Sequence, residues 1–226
     1  MLRSQAASNV TGIIEAVDDV TVLLHRHDAL ACWDYATAAP HGPVDMNPPP
    51  TAAHPDWHLT AKDAVFISPH KFPGGPGTPG LLVIKKKLMR NNTPSTPGGG
   101  TVFYVTDHAH RYLENLEERE EGGTPNILGA IRCGLVFHLW SAVSGVSIAK
   151  VEAGITAKVH KAWAANKQIH LLGEAAASRL PVFSFLIEYG ASGRFLHWNY
   201  VSTLLSDLFG IQVRMPMCWP CVLAVC

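Results

Sequence analysis

The sequence predicts an α/β protein, and three features carry that expectation. Residues 29–33 and Ala64–Ile67 are short apolar runs with the character of buried strands, each ending abruptly at polar or turn-forming residues. Residues 12–26 set Ile13, Val17, Val20 and Leu24 on one helical stripe just ahead of the first run. Near the far end, a strand-like stretch at 180–189 precedes an amphipathic helix at 199–211, with Val201, Leu204, Leu205 and Leu208 expected to point inward.

The totals narrow the function classes. The chain has 226 residues, 47% hydrophobic and 16% charged, which is globular rather than disordered and enough for one or two domains. Eighteen basic and eighteen acidic residues cancel, so no nucleic-acid or membrane-surface partner is expected. The one dense basic run, Lys85, Lys86 and Lys87, reads as a strand end entering solvent. Five cysteines, at 32, 133, 218, 221 and 226, form no regular framework, and the start lacks an apolar secretory core. A reducing, cytoplasmic setting is expected. Cys218 and Cys221 have metal-ligand spacing but no second pair, so no metal site is expected. No run of eighteen apolar residues is present, and no membrane span is expected.

In chain order, SNVTG at 8–12 opens the helix expected from near Gly12 to about Arg26, with Asn9 as a turn or cap residue. The strand at 29–33 delivers Asp34 at its C-terminal end, where open α/β sheets hold ligands; an aspartate there equally caps a turn. Residues 40–60 are proline-rich and read as a loop whose histidines lie at the surface. Ala64–Ile67 then stops at Ser68 and Pro69, followed by His70 and Lys71 and by too many glycines and prolines for helix or strand. An amine held at the mouth of a buried strand loses its proton more readily, as Schiff-base formation with an aldehyde requires. The alternative is a solvated lysine on a surface turn.

A strand follows at 81–87, then a loop at 91–100, a short strand at 101–106 and a charged, solvated helical segment at 111–121. Thr124 sits at the head of a helix expected over 127–141, where an anion is also favoured. From about residue 143 a smaller domain begins, with a helix at 155–166.

Ser68-Pro69-His70-Lys71, with the glycine-rich loop and residues 81–88, closely resembles the cofactor-lysine motif of class V aminotransferases. These are the cysteine-desulfurase-like, pyridoxal-phosphate-dependent enzymes of fold type I. Matches flank it in register: SNVTG at 8–12, WDYATAAP at 33–40, PGGG at 97–100, EGGTPN at 121–126 and LFGIQVR at 208–214. The resemblance runs from Ala7 to Arg214.

It implies part of a fold-type-I large domain over 1–142, built on a mostly parallel sheet with 81–87 returning antiparallel. A truncated C-terminal α+β domain would occupy 143–226, with a divergent tail from 215. It further implies that Lys71 forms a Schiff base with pyridoxal 5′-phosphate and later shuttles the Cα proton. Ser68 and His70 would bind the phosphate, Asp34 the pyridine nitrogen, and Asn9 would lie near the ring and its phenolic oxygen. Thr124 would reach the phosphate in the neighbouring subunit of a homodimer. Arg214 would recognise a substrate carboxylate, an ordinary ion pair being the alternative. Thr37 stands where some relatives carry a glutamine, and its role stays open. Cys218 lies near, but not at, the position of a desulfurase nucleophile and reads as an unpaired tail cysteine. The function implied is transamination or desulfurase-type chemistry on an amino acid. The alternative is an inactive chain that keeps the fold and pairs with a full-length relative, because phosphate-loop and ring-stacking segments of the family have no counterpart here.

Overall fold

The structure is a computed structural model and describes residues 2–173, 177–190, 192–213 and 223–225. Its central sheet has four strands in the order β1 (Leu2–Gln5), β2 (Ala31–Asp34), β3 (Ala64–Ile67) and β4 (Leu81–Ile84). The first three run parallel and β4 returns antiparallel, as the family resemblance implies.

Helix α1 (Val17–Arg26) covers this sheet through Val17, Val20 and Leu24, which pack on a core of Ala6, Ala31, Trp33 and Val65. Asp18 and Asp19 in its first turn and His25 and Arg26 in its last complement the helix dipole. The helix starts five residues later than expected. Residues 7–14 form a turn flanked by isolated bridges instead: Ala7 bridges Ile14, and Ile13 bridges Arg179. Ile13 therefore belongs to a bridge rather than to the helical stripe, because a distant segment competes for its backbone.

The proline-rich stretch holds one short helix, α2 (Trp57–Thr60), capped by the Asp56 side chain. After β4, residues 86–88 form a 3-10 turn and Lys85 folds back toward Asp63, its Nζ 3.7 Å from the carboxylate. This corrects the expectation of a lysine run entering solvent: Lys85 leaves it to meet a buried charge.

β5 (Val102–Val105) and β6 (His110–Tyr112) make a separate hairpin, and α3 (Leu116–Glu120) follows. The charged run at 111–121 is thus partly strand. Helix α4 (Ile127–Val143) is apolar nearly all round. One side, with Val136, Phe137 and Trp140, packs on the central core, while Ile127, Leu128, Ile131, Leu135 and Leu139 are exposed. The chain bends by 69° between α4 and α5 (Gly145–Ala164), and among the described residues no single helix is long and apolar enough to cross a membrane.

The remainder forms a second small sheet in the order β7 (Ile169–Leu171), β8 (Phe183–Ile187), β9 (Leu223–Val225), all antiparallel. Trp163 of α5 lies edge-on to Phe183 and Phe185, and Val201 of α6 (Trp198–Phe209) packs beside Phe185. Leu205 joins that cluster, but Leu204 and then Leu208 are exposed. The helix stops one residue later at a left-handed Gly210, so its last turn overhangs the sheet. β7 is only three residues long, too short to be read from periodicity.

Candidate functional site

The parallel register brings three strand ends to one edge. Gln5 faces Asp34, and Asp34 faces Phe66. The Ala6 amide then donates to the Asp34 carbonyl at 2.9 Å, and the Tyr35 amide to the Phe66 carbonyl at 2.8 Å. Adjacent strands lie about 4.8 Å apart, so the segments carrying Asn9, Asp34 and Lys71 emerge side by side.

The lysine turn is shaped by its breakers. Pro69 begins a single 3-10 turn, Pro69–Lys71, closed by bonds from the Lys71 amide to the Ser68 carbonyl and from the Phe72 amide to the Pro69 carbonyl, both 3.0 Å. Pro69 is buried below it, and buried Phe72 anchors its exit edge-on against Phe137 and Trp140 of α4. The loop then folds back so closely that a Cβ at Gly75 would overlap the Pro69 carbonyl oxygen. Pinned at both ends, the turn leaves His70 and Lys71 exposed and Ser68 half-buried. The Ser68 hydroxyl does not cap its own turn. Lys71 is exposed rather than enclosed at the strand mouth.

Thr37 is the residue that sequence reasoning left without a role. Its hydroxyl oxygen accepts from Lys71 Nζ at 3.5 Å. The threonine is shorter than a glutamine, but the lysine side chain crosses to it. Asp34, three residues earlier, is half-buried, and its Oδ1 accepts from the Ala36 amide at 2.9 Å. It therefore caps the turn after β2 and presents a carboxylate at the same edge.

Asn9 is exposed on the β1 side. The turn it occupies is closed by the Ser8 hydroxyl, which accepts from the Val10 and Thr11 amides at 3.2 Å each. Asn9 caps no helix, contrary to one of the two readings of the sequence. Gly12, at φ +73°, lets this turn approach the segment that leads into β8: a Cβ there would stand 2.9 Å from the Leu180 carbonyl oxygen.

Thr124 is exposed, and it is not the helix cap. That role belongs to Asn126, which accepts from the Gly129 amide at 2.9 Å. The Asn126 amide group also donates to the Gly77 carbonyl at 3.2 Å, and Arg132 donates to the Pro76 carbonyl at 2.6 Å. These bonds dock the start of α4 on the loop behind Lys71. Arg214, Cys218 and Cys221 lie outside the described residues. Among the described residues no group of three histidine, cysteine or carboxylate side chains could hold a metal ion.

The family profile described as Aminotransferase class-V matches residues 1–216. The chain belongs to this family. A cysteine desulfurase of Escherichia coli O127:H6 is 29% identical over 214 residues, covering 95% of this chain and 48% of its own length. A probable cysteine desulfurase of Halalkalibacterium halodurans is 28% identical over 92% of this chain and 46% of its own. The class V chain thus spans about half the length of these curated relatives. Among solved structures, the apo cysteine desulfurase of Thermococcus onnurineus NA1 superposes with a TM-score of 0.73 at 24% identity, over 94% of this chain and 48% of that one. A C-DES mutant with glycine covalently linked to its PLP cofactor gives 0.76 at 14% identity. These likenesses establish the fold, a mixed, mostly parallel α/β sheet covering about half of the full architecture.

Class V aminotransferases and cysteine desulfurases are enzymes that use pyridoxal phosphate. The donor set of the class V chain fits that cofactor. An amine, a strand-end carboxylate, a hydroxyl and an imidazole suit an aldehyde, a pyridine nitrogen and a phosphate respectively. All four groups stand on the segments that leave β2 and β3 together.

Proposed function

We propose that the class V chain binds pyridoxal 5′-phosphate through Lys71 and belongs to an enzyme acting on an amino acid, by transamination or desulfurase-type chemistry. The observation that carries this is the approach of Lys71 Nζ to Thr37 Oγ1, at the sheet edge that also presents Asp34. Lys71 would be the residue that holds the cofactor by its aldehyde and, once the substrate's amine has displaced it, would be the base that takes and returns the proton at the substrate's Cα. Thr37 steers its amine. Asp34 holds a proton at the pyridine nitrogen, and Ser68 and His70 donate to the phosphate. Asn9 serves the phenolic oxygen, and Arg214 forks around the substrate's carboxylate. When bound, the cofactor draws electrons from the substrate's Cα through its protonated ring. Neither described thiol serves as a nucleophile: Cys32 and Cys133 are buried free cysteines, and burial pushes both thiols above their ordinary range. Buried free thiols also support a reducing, cytoplasmic setting.

The same reading makes the chain one half of a homodimer, with Thr124 reaching the phosphate across the interface. Support comes from α4, where exposed Thr124 is followed by the exposed apolar residues Ile127, Leu128, Ile131 and Leu135. The bend between α4 and α5 supports a division into residues 1–142 and 143–226. A second reading has one observation in its favour: β4 is the last strand of its sheet and exposes both Leu82 and Val83. A chain that keeps the fold without turnover would use that edge and α4 to pair with a full-length relative.

The deciding experiment is an absorbance titration of the purified chain with pyridoxal phosphate beside Lys71→Ala. A shifted band of lysine-bound cofactor in the parent, absent in the variant, supports the enzyme reading and leads to amino acid screening. Identical spectra overturn it in favour of the pairing reading.

A further inference from the structure

A cleft of about 480 Å³ opens beside the N-terminus of α1, between that helix, the segment after Asp34 and Leu180. None of Asn9, Asp34, Ser68, His70, Lys71 or Thr124 lines it. Its volume falls within the range of small-molecule sites. Its floor is apolar, built from Ala6, Val17, Ala38 and Leu180, and its walls carry four carboxylates: Glu15, Asp18, Asp19 and Asp45.

The charges do not balance. Lys62 pairs with Asp18 at 3.1 Å, and His54 with Asp19 at 2.9 Å. His41, the remaining cationic candidate in the lining, is turned to Glu152 at 2.7 Å. Four carboxylates against one lysine leave three negative charges when the imidazoles are neutral. Glu15 and Asp45 make no ion pair among the described residues. The positive end of α1 offsets only about half a charge.

A second feature points at an occupant. Tyr35 lines the cleft and is only 9% exposed, its ring packed in the central core, yet its hydroxyl makes no hydrogen bond among the described residues. Burial, with the charges of Asp18 and Asp45 behind it, pushes this phenol far above its ordinary range, so it stays protonated and neutral. The ring is buried while the hydroxyl, unpaired within the described residues, is left to bond whatever fills the cleft.

We propose that this cleft binds an aliphatic primary ammonium group, whose charge meets Glu15 and Asp45 and whose N–H bonds the Tyr35 oxygen. The apolar floor takes the methylene stem. A metal ion is disfavoured, since no three carboxylate, histidine or cysteine groups among the described residues converge as ligands. An ammonium of this kind comes either from a free polyamine or from a lysine side chain of a peptide, and the chemistry is shared.

The test is calorimetric titration of the full chain with spermidine in one arm and with an acetylated, amidated Gly-Lys-Gly tripeptide in the other, near 0.15 M salt to screen diffuse attraction. Saturable one-to-one binding is expected. Asp45→Asn and Glu15→Gln, both at exposed positions, should each weaken it about tenfold or more, and Tyr35→Phe about 3- to 10-fold. Glu117→Gln on α3, away from the cleft, should change nothing. Saturation by spermidine alone assigns a free polyamine, and saturation by the tripeptide assigns a lysine side chain. No saturation in either arm, or equal weakening by Glu117→Gln and Asp45→Asn, overturns the proposal. Because Asp45 is exposed, its variant reads the site even if Tyr35→Phe disturbs the core.

Discussion

Lys71 Nζ lies 3.5 Å from Thr37 Oγ1, joining the turn after β3 to the segment after β2 across 34 residues of sequence. At that length the bond is weak, and its value is positional. Thr37→Val keeps the shape and removes the acceptor. It should weaken pyridoxal phosphate binding by about 2- to 10-fold, while Thr37→Ser stays near the parent. An absorbance titration of the three proteins checks this, and a valine variant equal to the parent would show the contact to be incidental.

Trp33 and Thr21 meet at the centre of the large core. The indole N–H donates to the Thr21 hydroxyl oxygen at 2.8 Å, and that hydroxyl donates on to the Val17 carbonyl. Both residues are essentially inaccessible. Thr21→Val leaves the indole donor buried without a partner, a loss of about 1–3 kcal/mol. Urea unfolding should show the drop, and Thr21→Ser should recover most of it.

Asp63 joins three elements at the opposite end of the sheet. Its carboxylate accepts from His25 at 2.9 Å and from the Ala31 amide at 3.0 Å, with Lys85 at 3.7 Å. Burial alone would raise this carboxyl, but the His25 and Ala31 hydrogen bonds and the Lys85 charge outweigh it and hold it below the ordinary range. A carboxyl depressed on folding adds stability above its unfolded pKa, near 4, and loses it as pH falls through the lower folded value. Thermal midpoints should therefore decline below about pH 4. Asp63→Asn should be less stable at neutral pH and show a flatter acid limb; an unchanged limb would assign the decline to other carboxyls.

The exposed stripe on α4 should make the chain associate. Sedimentation at rising concentration should show a dimer, and Leu128→Lys with Leu135→Lys should shift it to monomer. Both side chains are well exposed, so the thermal midpoint of the monomer should not fall. A parent that stays monomeric throughout would count against the homodimer.

The turn that carries the candidate lysine could be read from the chain because its shape is set locally. Ser68, His70 and Lys71 are consecutive, and the breakers after them fix the turn they occupy. Asp34 was readable as a strand-end carboxylate because the apolar run before it stops there. Thr37 was not, since its partner is 34 residues away and only the parallel pairing of β2 with β3 brings them together. The start of α1 depends on a distant segment in the same way: Ile13 has helical spacing, yet a bridge to Arg179 claims it.

The sequence by itself determined the α/β class, the family, the lysine turn and the lack of a net charge that would call for nucleic acid. These follow from periodicity, breakers and motif order, all set by neighbours along the chain. Only the tertiary structure decided which face of α4 is left open, that Lys85 turns back to Asp63, and that Tyr35 ends in a cleft walled by carboxylates. Those outcomes depend on which distant surfaces win the competition for burial, and burial is a property of the packed chain rather than of any stretch within it.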